Sequence, residues 1–191
     1  AKADWVETIA ESKDVLDGVS AIGDHLVALY MHQAASKVSI LTPDGKPDPA
    51  QVADLAGKLK NEFGGSTYAQ YGSLFVAKVA VDTGKLDDAA AELKAIAGKP
   101  TNPTLGEIAR QRLAQVLAAQ NKADDALKLL DGDADKAFVA TREELKGDLL
   151  VQLGRTDEAN AAYQKAKAAL SDEAAVGGLQ MKLDDLAKGD A

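Results

Sequence analysis

The sequence lacks cysteine, is poor in aromatic residues and contains no long apolar run. Without cysteine the chain can form no disulfide, thiolate nucleophile or thiolate metal site, although both the periplasm and the cytosol stay open as compartments. Its apolar clusters, such as residues 26–30, fall short of the roughly 18 residues that a membrane helix needs. We therefore expect the chain as given to be soluble. It begins at Ala1 rather than methionine, which leaves open a leader or anchor ahead of it.

Aromatic residues make up only 4% of the 191 residues, whereas alanine occurs 37 times. Few large side chains are available to fill a thick core, while alanine favours helices that approach one another closely. The composition therefore indicates one elongated domain built from thin layers of paired helices.

No stretch concentrates lysine and arginine without interleaved acidic residues, and 30 acidic against 22 basic side chains give a net charge of −8. Nucleic acids and anionic membrane surfaces are poor partners for such a chain, because both require a basic patch. Catalytic signatures are missing too, including a nucleophile elbow, a phosphate-binding loop and a dinucleotide fingerprint. We therefore predict a protein that is not an enzyme and needs no cofactor.

One short motif occurs three times, as GKLDDA at residues 84–89, NKADDA at 121–126 and GRTDEA at 154–159. Their final alanines are separated by 37 and 33 residues, close to the roughly 34 residues of a tetratricopeptide repeat. Gly84, Asn121 and Gly154 fit the left-handed position at which a first helix ends. The acidic residues that follow fit the first turn of a second helix. The motif predicts three helical hairpins.

Small residues recur seven positions before each turn residue, at Ala77, Ala114 and Gly147, where the two helices of a hairpin approach most closely. The second helices are predicted to direct Leu93, Leu130 and Tyr163 inward at one equivalent position. The third hairpin departs from the usual repeat at Glu143 and Lys146, where aromatic and leucine side chains are usual.

Helix signals divide the rest of the chain. Asp48-Pro49 opens a helix that Gly64-Gly65 ends, and residues 19–41 are predicted to form one long amphipathic helix before it. Residues 1–18, which include Trp5, are expected to form a short helix or arm of uncertain placement. The predicted fold is an all-α tetratricopeptide-like solenoid over residues 19–191, with antiparallel hairpins at about 19–63, 66–97, 103–131 and 137–170 and a capping helix at about 171–187.

Two patterns resemble metal sites without completing one. His25 and His32, seven residues apart, would share a face of the predicted long helix, but the flanking sequence offers no third and fourth ligand in a standard spacing. Residues 131–135, DGDAD, resemble the opening of an EF-hand loop. The loop then fails, because Lys136 stands where glycine is needed and Arg142 where glutamate is needed. We predict no metal site.

What remains as a candidate site is the concave groove that the first helices of such repeats line. No clamp of lysine and arginine residues for a carboxylate terminus is evident in it. Leu74 and Ile108 have packing against neighbouring helices as an alternative role. The groove-facing positions are predicted to be Tyr71, Leu74, Lys78 and Val81, then Ile108, Gln111, Gln115 and Ala118, then Thr141, Glu144, Asp148 and Val151. The groove is thus expected to be apolar in its first hairpin and acidic in its third.

From about Asp48 onward the sequence resembles the ancillary SecYEG translocon subunit family. The resemblance is carried by residues 55–63 with Tyr68-Ala69, and by residues 84–93, 112–116, 124–131, 147–150 and 180–183. That family ordinarily has a cytoplasmic tail and one membrane-spanning helix, followed by a long helix matching about residues 25–41 here. The spanning helix has no counterpart in this chain.

The resemblance implies an inner-membrane protein that faces the periplasm. It also implies association with the Sec translocon and with a membrane-anchored prolyl-isomerase-like chaperone, in the service of newly exported proteins. The leading hypothesis is a non-enzymatic, chaperone-type accessory of the translocon. The alternative is a soluble adaptor for the assembly of a multiprotein complex, which holds a basic peptide in the acidic part of the groove near Glu144 and Asp148.

Overall fold

A computed structural model of the chain describes residues 8–9, 13–22, 24–32, 35–46, 48–170 and 173–189. The chain divides into two compact units, Ala1–Gly64 and Gly65–Ala191. In the described residues no helix is both long and apolar enough to cross a membrane.

The first unit contains a three-stranded antiparallel sheet in the order β1-β2-β3. Its strands are β1 (Val15–Ile22), β2 (His25–His32) and β3 (Ala35–Leu41), and helix α1 (Pro49–Glu62) follows them. The long helix predicted for residues 19–41 is therefore wrong, and so is the hairpin predicted for residues 19–63. The short helix or arm predicted for residues 1–18 is corrected at its end, where β1 begins, while Trp5 lies outside the described residues.

The sheet follows from a period-two pattern that a helical reading of the same residues obscures. Leu26, Ala28 and Tyr30 alternate along β2 and belong to one small core, which also contains Leu41 from β3. Side chains two residues apart share a face of a strand, so this spacing buries one face of the sheet. Ile22 pairs with His25, and a glycine-aspartate pair between two such runs in the sequence is a hairpin signal.

Helix α1 begins where its cap and proline predict. The carboxylate of Asp48 accepts a hydrogen bond from the Gln51 backbone N–H (3.1 Å), and Pro49 occupies the first turn. On the other side of the carboxylate, Nε2 of His25 lies 3.2 Å from Asp48 Oδ2. Asp48 therefore connects strand β2 to the start of α1 within the first unit.

The second unit is helical, and with it the predicted all-α solenoid class is confirmed. A single 3-10 turn, Lys136–Phe138, precedes α6. Each helix contacts the next one along the chain. The helices are α2 (Thr67–Asp82), α3 (Leu86–Gly98), α4 (Pro103–Ala119), α5 (Ala123–Leu129), α6 (Val139–Gln152), α7 (Thr156–Ala168) and α8 (Glu173–Gly189).

The three repeated motifs form the same turn. Gly84, Asn121 and Gly154 have φ angles of +75°, +59° and +71°, as their left-handed role requires. In each turn the next residue donates a backbone hydrogen bond to the carbonyl five residues earlier, for example Lys85 to Ala80 at 2.7 Å. This arrangement is the Schellman motif, which satisfies the last carbonyls of the first helix and redirects the chain into the second.

Close packing within the hairpins occurs at the predicted positions. Ala77, Ala114 and Gly147 are all buried in the first helices. The predicted inward residues Leu93, Leu130 and Tyr163 are also buried, which confirms their register. The largest core cluster joins α2, α3 and α4, and a second one joins α4, α5 and α6. Because each core is shared between consecutive hairpins, the helices stack in sequence order, as in a repeat solenoid.

Candidate protein-binding groove

A groove of about 370 Å³ opens between helices α2, α3 and α4 of the second unit. On α2 its lining residues are spaced as i, i+3, i+4 and i+7, and on α4 they follow the same spacing. Each helix therefore offers one continuous face to the groove. The lining consists of Leu74, Ala77, Lys78, Val81 and Asp82 from α2, Leu86 and Leu93 from α3, and Arg112, Gln115, Val116 and Ala119 from α4.

The floor of the groove is apolar and its rim is polar. Leu74, Leu93 and Val116 are buried in the first core cluster, so a rigid packed core supports the floor. At the rim, Nζ of Lys78 lies 2.7 Å from the Asp82 carboxylate, and both side chains are exposed. An apolar floor with a few polar groups at its edge suits the binding of side chains from another polypeptide.

Four of the predicted site residues, Leu74, Lys78, Val81 and Gln115, line this groove. Tyr71 does not. It is exposed on α2 together with Tyr68 and Phe75, and the three side chains are spaced as i, i+3 and i+7. The structure therefore divides the predicted apolar region into a groove and a separate aromatic stripe.

The face of α4 differs from the prediction by one residue. Gln115 lines the groove as predicted, but the predicted positions 111 and 118 are replaced by 112 and 119 in the structure, each one residue further along the helix and about 100° around its axis. Ile108 and Ala118 instead pack against the first and second core clusters. Arg112 is among the groove residues that the sequence prediction missed, and no local spacing distinguishes it from its neighbours on α4.

Gln111 belongs to a buried polar network. Its side-chain amide donates to the Glu107 carboxylate (3.0 Å), which also receives the guanidinium groups of Arg110 and Arg142. Arg142 is only 2% exposed. Its Nη1 donates hydrogen bonds to the backbone carbonyls of Gly132 and Asp133, each at 3.1 Å. The loop that resembled an EF-hand thus turns its carbonyls to an arginine.

This network holds Glu107 ionised. Burial acts to raise the pKa of Glu107, but hydrogen bonds from Arg142 and Gln111 and the charges of Arg142 and Arg110 outweigh it and keep the pKa below its usual value. The Glu107–Arg142 ion pair joins α4 to α6. The hydrogen bonds from Arg142 to Gly132 and Asp133 attach the loop between the second and third hairpins. The role of the ion pair is structural, since both partners are buried.

The acidic part of the predicted groove is occupied by the chain itself. Nζ of Lys182, on the capping helix α8, lies 2.8 Å from Glu144 and 2.6 Å from Asp148. Burial acts to lower the pKa of Lys182, yet the hydrogen bonds and charges of the two carboxylates leave it raised. Thr141, at the start of α6, the helix that also carries these two carboxylates, donates its hydroxyl to the Phe138 carbonyl at 3.2 Å.

Tyr163 completes the cluster from helix α7. Its hydroxyl donates to Asp148 at 2.7 Å, and Nζ of Lys182 lies 5.5 Å from the centre of its ring. Burial, followed by the hydrogen bond to Asp148, raises the pKa of the Tyr163 hydroxyl well above its usual value. Glu143 and Lys146, which depart from the usual repeat, form an ion pair with each other at 3.2 Å.

The two histidines lie in strand β2 of the first unit rather than in a helix. His25 is bonded through its two ring nitrogens to Asp24 (2.7 Å) and Asp48 (3.2 Å). Burial acts to lower the pKa of His25, but the hydrogen bonds to Asp48 and Asp24 outweigh it and leave the pKa raised. Among the described residues, no group of three or more histidine, aspartate or glutamate side chains could hold a metal ion.

In a comparison with known protein families, a family model described as a tetratricopeptide repeat-like domain matches residues 27–188 of this chain. A protein of Escherichia coli named ancillary SecYEG translocon subunit is 31% identical over 144 residues, which cover 75% of this chain and 68% of that protein. A protein of the same name from Neisseria gonorrhoeae is 28% identical over 179 residues, covering 88% of this chain and 85% of its own length. A third, from Buchnera aphidicola, is 28% identical over 119 residues and covers 62% of this chain and 61% of its own length.

Proposed function

The chain belongs to the family of ancillary SecYEG translocon subunits and has its tetratricopeptide repeat-like domain, and on this premise we propose that it is a non-enzymatic protein-binding accessory of a Sec translocon. Its work is to hold segments of other polypeptides, in the manner of a chaperone, while they are exported. The relatives' names associate those proteins with the translocon, and the proposal carries that association to this chain.

The observation that carries this proposal is the groove between α2, α3 and α4. Its floor is formed by apolar side chains of the first core cluster, and it opens to the surface between the three helices. Val81, 42% exposed, offers apolar surface directly to a partner. A polypeptide that has not yet folded exposes apolar side chains, which such a groove can shield from water.

We assign the chain's site of action to the periplasmic side of the inner membrane. The relatives are named as subunits of the SecYEG translocon, and a chain that assists emerging polypeptides must act on the side where they appear. Periplasmic chaperones are further candidate partners. The absence of cysteine is compatible with that oxidising compartment.

The alternative function, an adaptor that holds a basic peptide in the acidic third hairpin, loses support from the ion pairs of Lys182. Glu144 and Asp148 already bind this lysine. A basic peptide would have to displace it and would gain little, because one lysine would replace another.

Site-specific photocrosslinking in cells tests the proposal. A photoreactive residue at Gln115, which lines the groove, is compared with one at Gln164, which is exposed on α7 and does not line it. We expect Gln115 to crosslink to translocon subunits or to polypeptides in transit, and Gln164 to do so far less. The proposal would be contradicted if Gln115 crosslinked only to proteins unrelated to export, or if both positions gave equal yields of crosslinks to translocon subunits and polypeptides in transit.

A further inference from the structure

Arg112 differs from the other arginines of the chain because no carboxylate among the described residues pairs with it. The sequence contains four arginines. Arg110 and Arg142 are ion-paired with Glu107, and Arg155 is ion-paired with Glu158. Arg112 is exposed, lines the groove and forms no ion pair in the part of the chain that the structure describes.

The charge of the groove differs in sign from that of the chain. Its charged lining residues are Lys78, Asp82 and Arg112. Because Lys78 and Asp82 neutralise each other at 2.7 Å, the guanidinium of Arg112 leaves the groove with a net charge of +1. The whole chain carries −8, so this positive rim stands out against an acidic background.

A guanidinium is suited to a particular partner group. Its planar fork of N–H donors matches the two oxygens of a carboxylate, and the pair is more directional than a lysine contact. The apolar floor beneath it, with Leu74 and Val116, takes apolar side chains. A volume of about 370 Å³ is at the small end of the range for binding pockets, which suits a few side chains of one segment.

We propose that the groove selects apolar polypeptide segments that carry an acidic side chain, and that Arg112 is the residue that reads this acid. This inference rests on the proposed function, since it names the chemical class of segment that the same groove binds. It makes Arg112 a specificity-determining residue, whereas the apolar floor supplies sequence-tolerant affinity.

Three synthetic peptides test this selectivity. They share leucines at positions i, i+3, i+4 and i+7 and differ at one position beside these leucines, which carries glutamate, glutamine or lysine. Binding is measured by fluorescence anisotropy with the unaltered chain and with Arg112→Gln, Arg112→Glu and Lys165→Glu. Lys165 is exposed on α7 and does not line the groove, so its variant controls for the change in net charge. Circular dichroism checks that each variant keeps its helices.

We expect the unaltered chain to bind the glutamate peptide up to about fivefold more tightly than the glutamine peptide, which is the upper end of the effect of one exposed ion pair. Arg112→Gln should abolish this preference, and Arg112→Glu should reverse it in favour of the lysine peptide. Lys165→Glu should keep the original order, and added salt should narrow the difference.

Two results would overturn the inference in distinguishable ways. If the unaltered chain and Arg112→Glu rank the peptides identically, the groove binds apolar segments without reading their charge, and the proposed function stands. If no peptide binds, both the selectivity and the groove as a polypeptide-binding site are wrong.

Discussion

Gly147 and Tyr163 fit each other in the third hairpin, where the other two hairpins combine an alanine with a leucine. A Cβ atom built on Gly147 would lie 2.2 Å from the Tyr163 ring. Ala77 and Ala114 have room for their methyl groups because Leu93 and Leu130 stand at the position equivalent to Tyr163. The larger ring is accommodated only because its partner has no side chain, and it brings a hydroxyl to Asp148.

We predict that Gly147→Ala lowers the free energy of unfolding by about 1–3 kcal/mol, because an extra methyl group in a packed core forces neighbours to move. Adding Tyr163→Leu should recover a part of this loss, since it recreates the pairing of the other hairpins. Urea unfolding of both variants measures the effect.

Gly178→Ala is the matched control for this test. Gly178 is exposed within helix α8, and a Cβ atom there meets nothing within 4 Å. The same substitution should therefore stabilise by about 0.5–1 kcal/mol through helix propensity. Equal destabilisation by both substitutions would show that close packing against Tyr163 is not the cause.

The Glu107–Arg142 pair gives a second prediction. Glu107→Gln leaves the buried guanidinium of Arg142 without its counter-charge, so we expect a loss of about 3 kcal/mol at neutral pH. The pKa of Glu107 is lowered in the folded chain. Its contribution is therefore present above the unfolded value near 4.5 and is lost as the pH falls through the folded pKa.

Unfolding measured across acidic pH checks both parts. The unaltered chain should lose stability as the pH falls below about 4.5, and Glu107→Gln should show a shallower slope there. Glu158→Gln, which breaks the exposed pair with Arg155, should change little. A neutral-pH stability of Glu107→Gln equal to that of the unaltered chain would contradict the structural role of the pair.

Among single residues, those that a local spacing defines could be predicted from the sequence. Gly84, Asn121 and Gly154 stand at a fixed distance from their small-residue partners, and their positive φ angles follow from residue type. Glu107 and Arg142 could not be paired in advance, because 35 residues separate them and no periodic pattern relates them. Lys182 was missed as the partner of Glu144 and Asp148 for the same reason.

At the scale of elements, helices with caps and turn residues were predictable and the sheet was not. Residues 19–41 contain enough apolar residues to satisfy a helical period loosely, whereas the buried set Leu26, Ala28 and Tyr30 follows a period of two. The glycine-aspartate pair of the sequence, between two apolar runs, was a hairpin signal that the helical interpretation passed over. The face of α4 was predicted one residue away, because helix periodicity leaves the rotation of a mostly apolar helix poorly determined.

His25 couples two of these elements, strand β2 and helix α1, through Asp48. Its raised pKa means that its ion pairs favour the folded first unit below the unfolded value near 6.5. This contribution is lost as the pH rises through the folded pKa. We therefore expect NMR titration of His25 to give a midpoint above 6.5.

Asp48→Asn tests the source of this shift. Asparagine keeps the ability to cap α1 but removes the charge, so the midpoint for His25 should fall. Asp54→Asn changes a carboxylate of α1 that pairs with Lys58 instead and should leave the midpoint unchanged. A midpoint that stays the same in Asp48→Asn would show that His25 and Asp48 do not interact.

At the scale of the whole molecule, the repeat motif, the acidic charge and the missing catalytic signatures together predicted a helical protein-binding chain. The site was predicted only in part. Leu74, Lys78, Val81 and Gln115 line the groove, while the acidic third hairpin is satisfied from within by α8. Which surfaces stay open depends on contacts between hairpins and with the capping helix, and these are long-range features that repeat periodicity does not specify.

The central claim, that the groove between α2, α3 and α4 holds partner polypeptides, is tested most directly by Val81→Asp and Val151→Asp. The two valines are 42% and 44% exposed, but only Val81 lines the groove. Each variant is expressed in cells, and its co-purification with Sec translocon subunits is measured. Val81→Asp should reduce recovery several-fold while Val151→Asp retains it, with both variants equally helical; equal recovery with the two variants would contradict the claim.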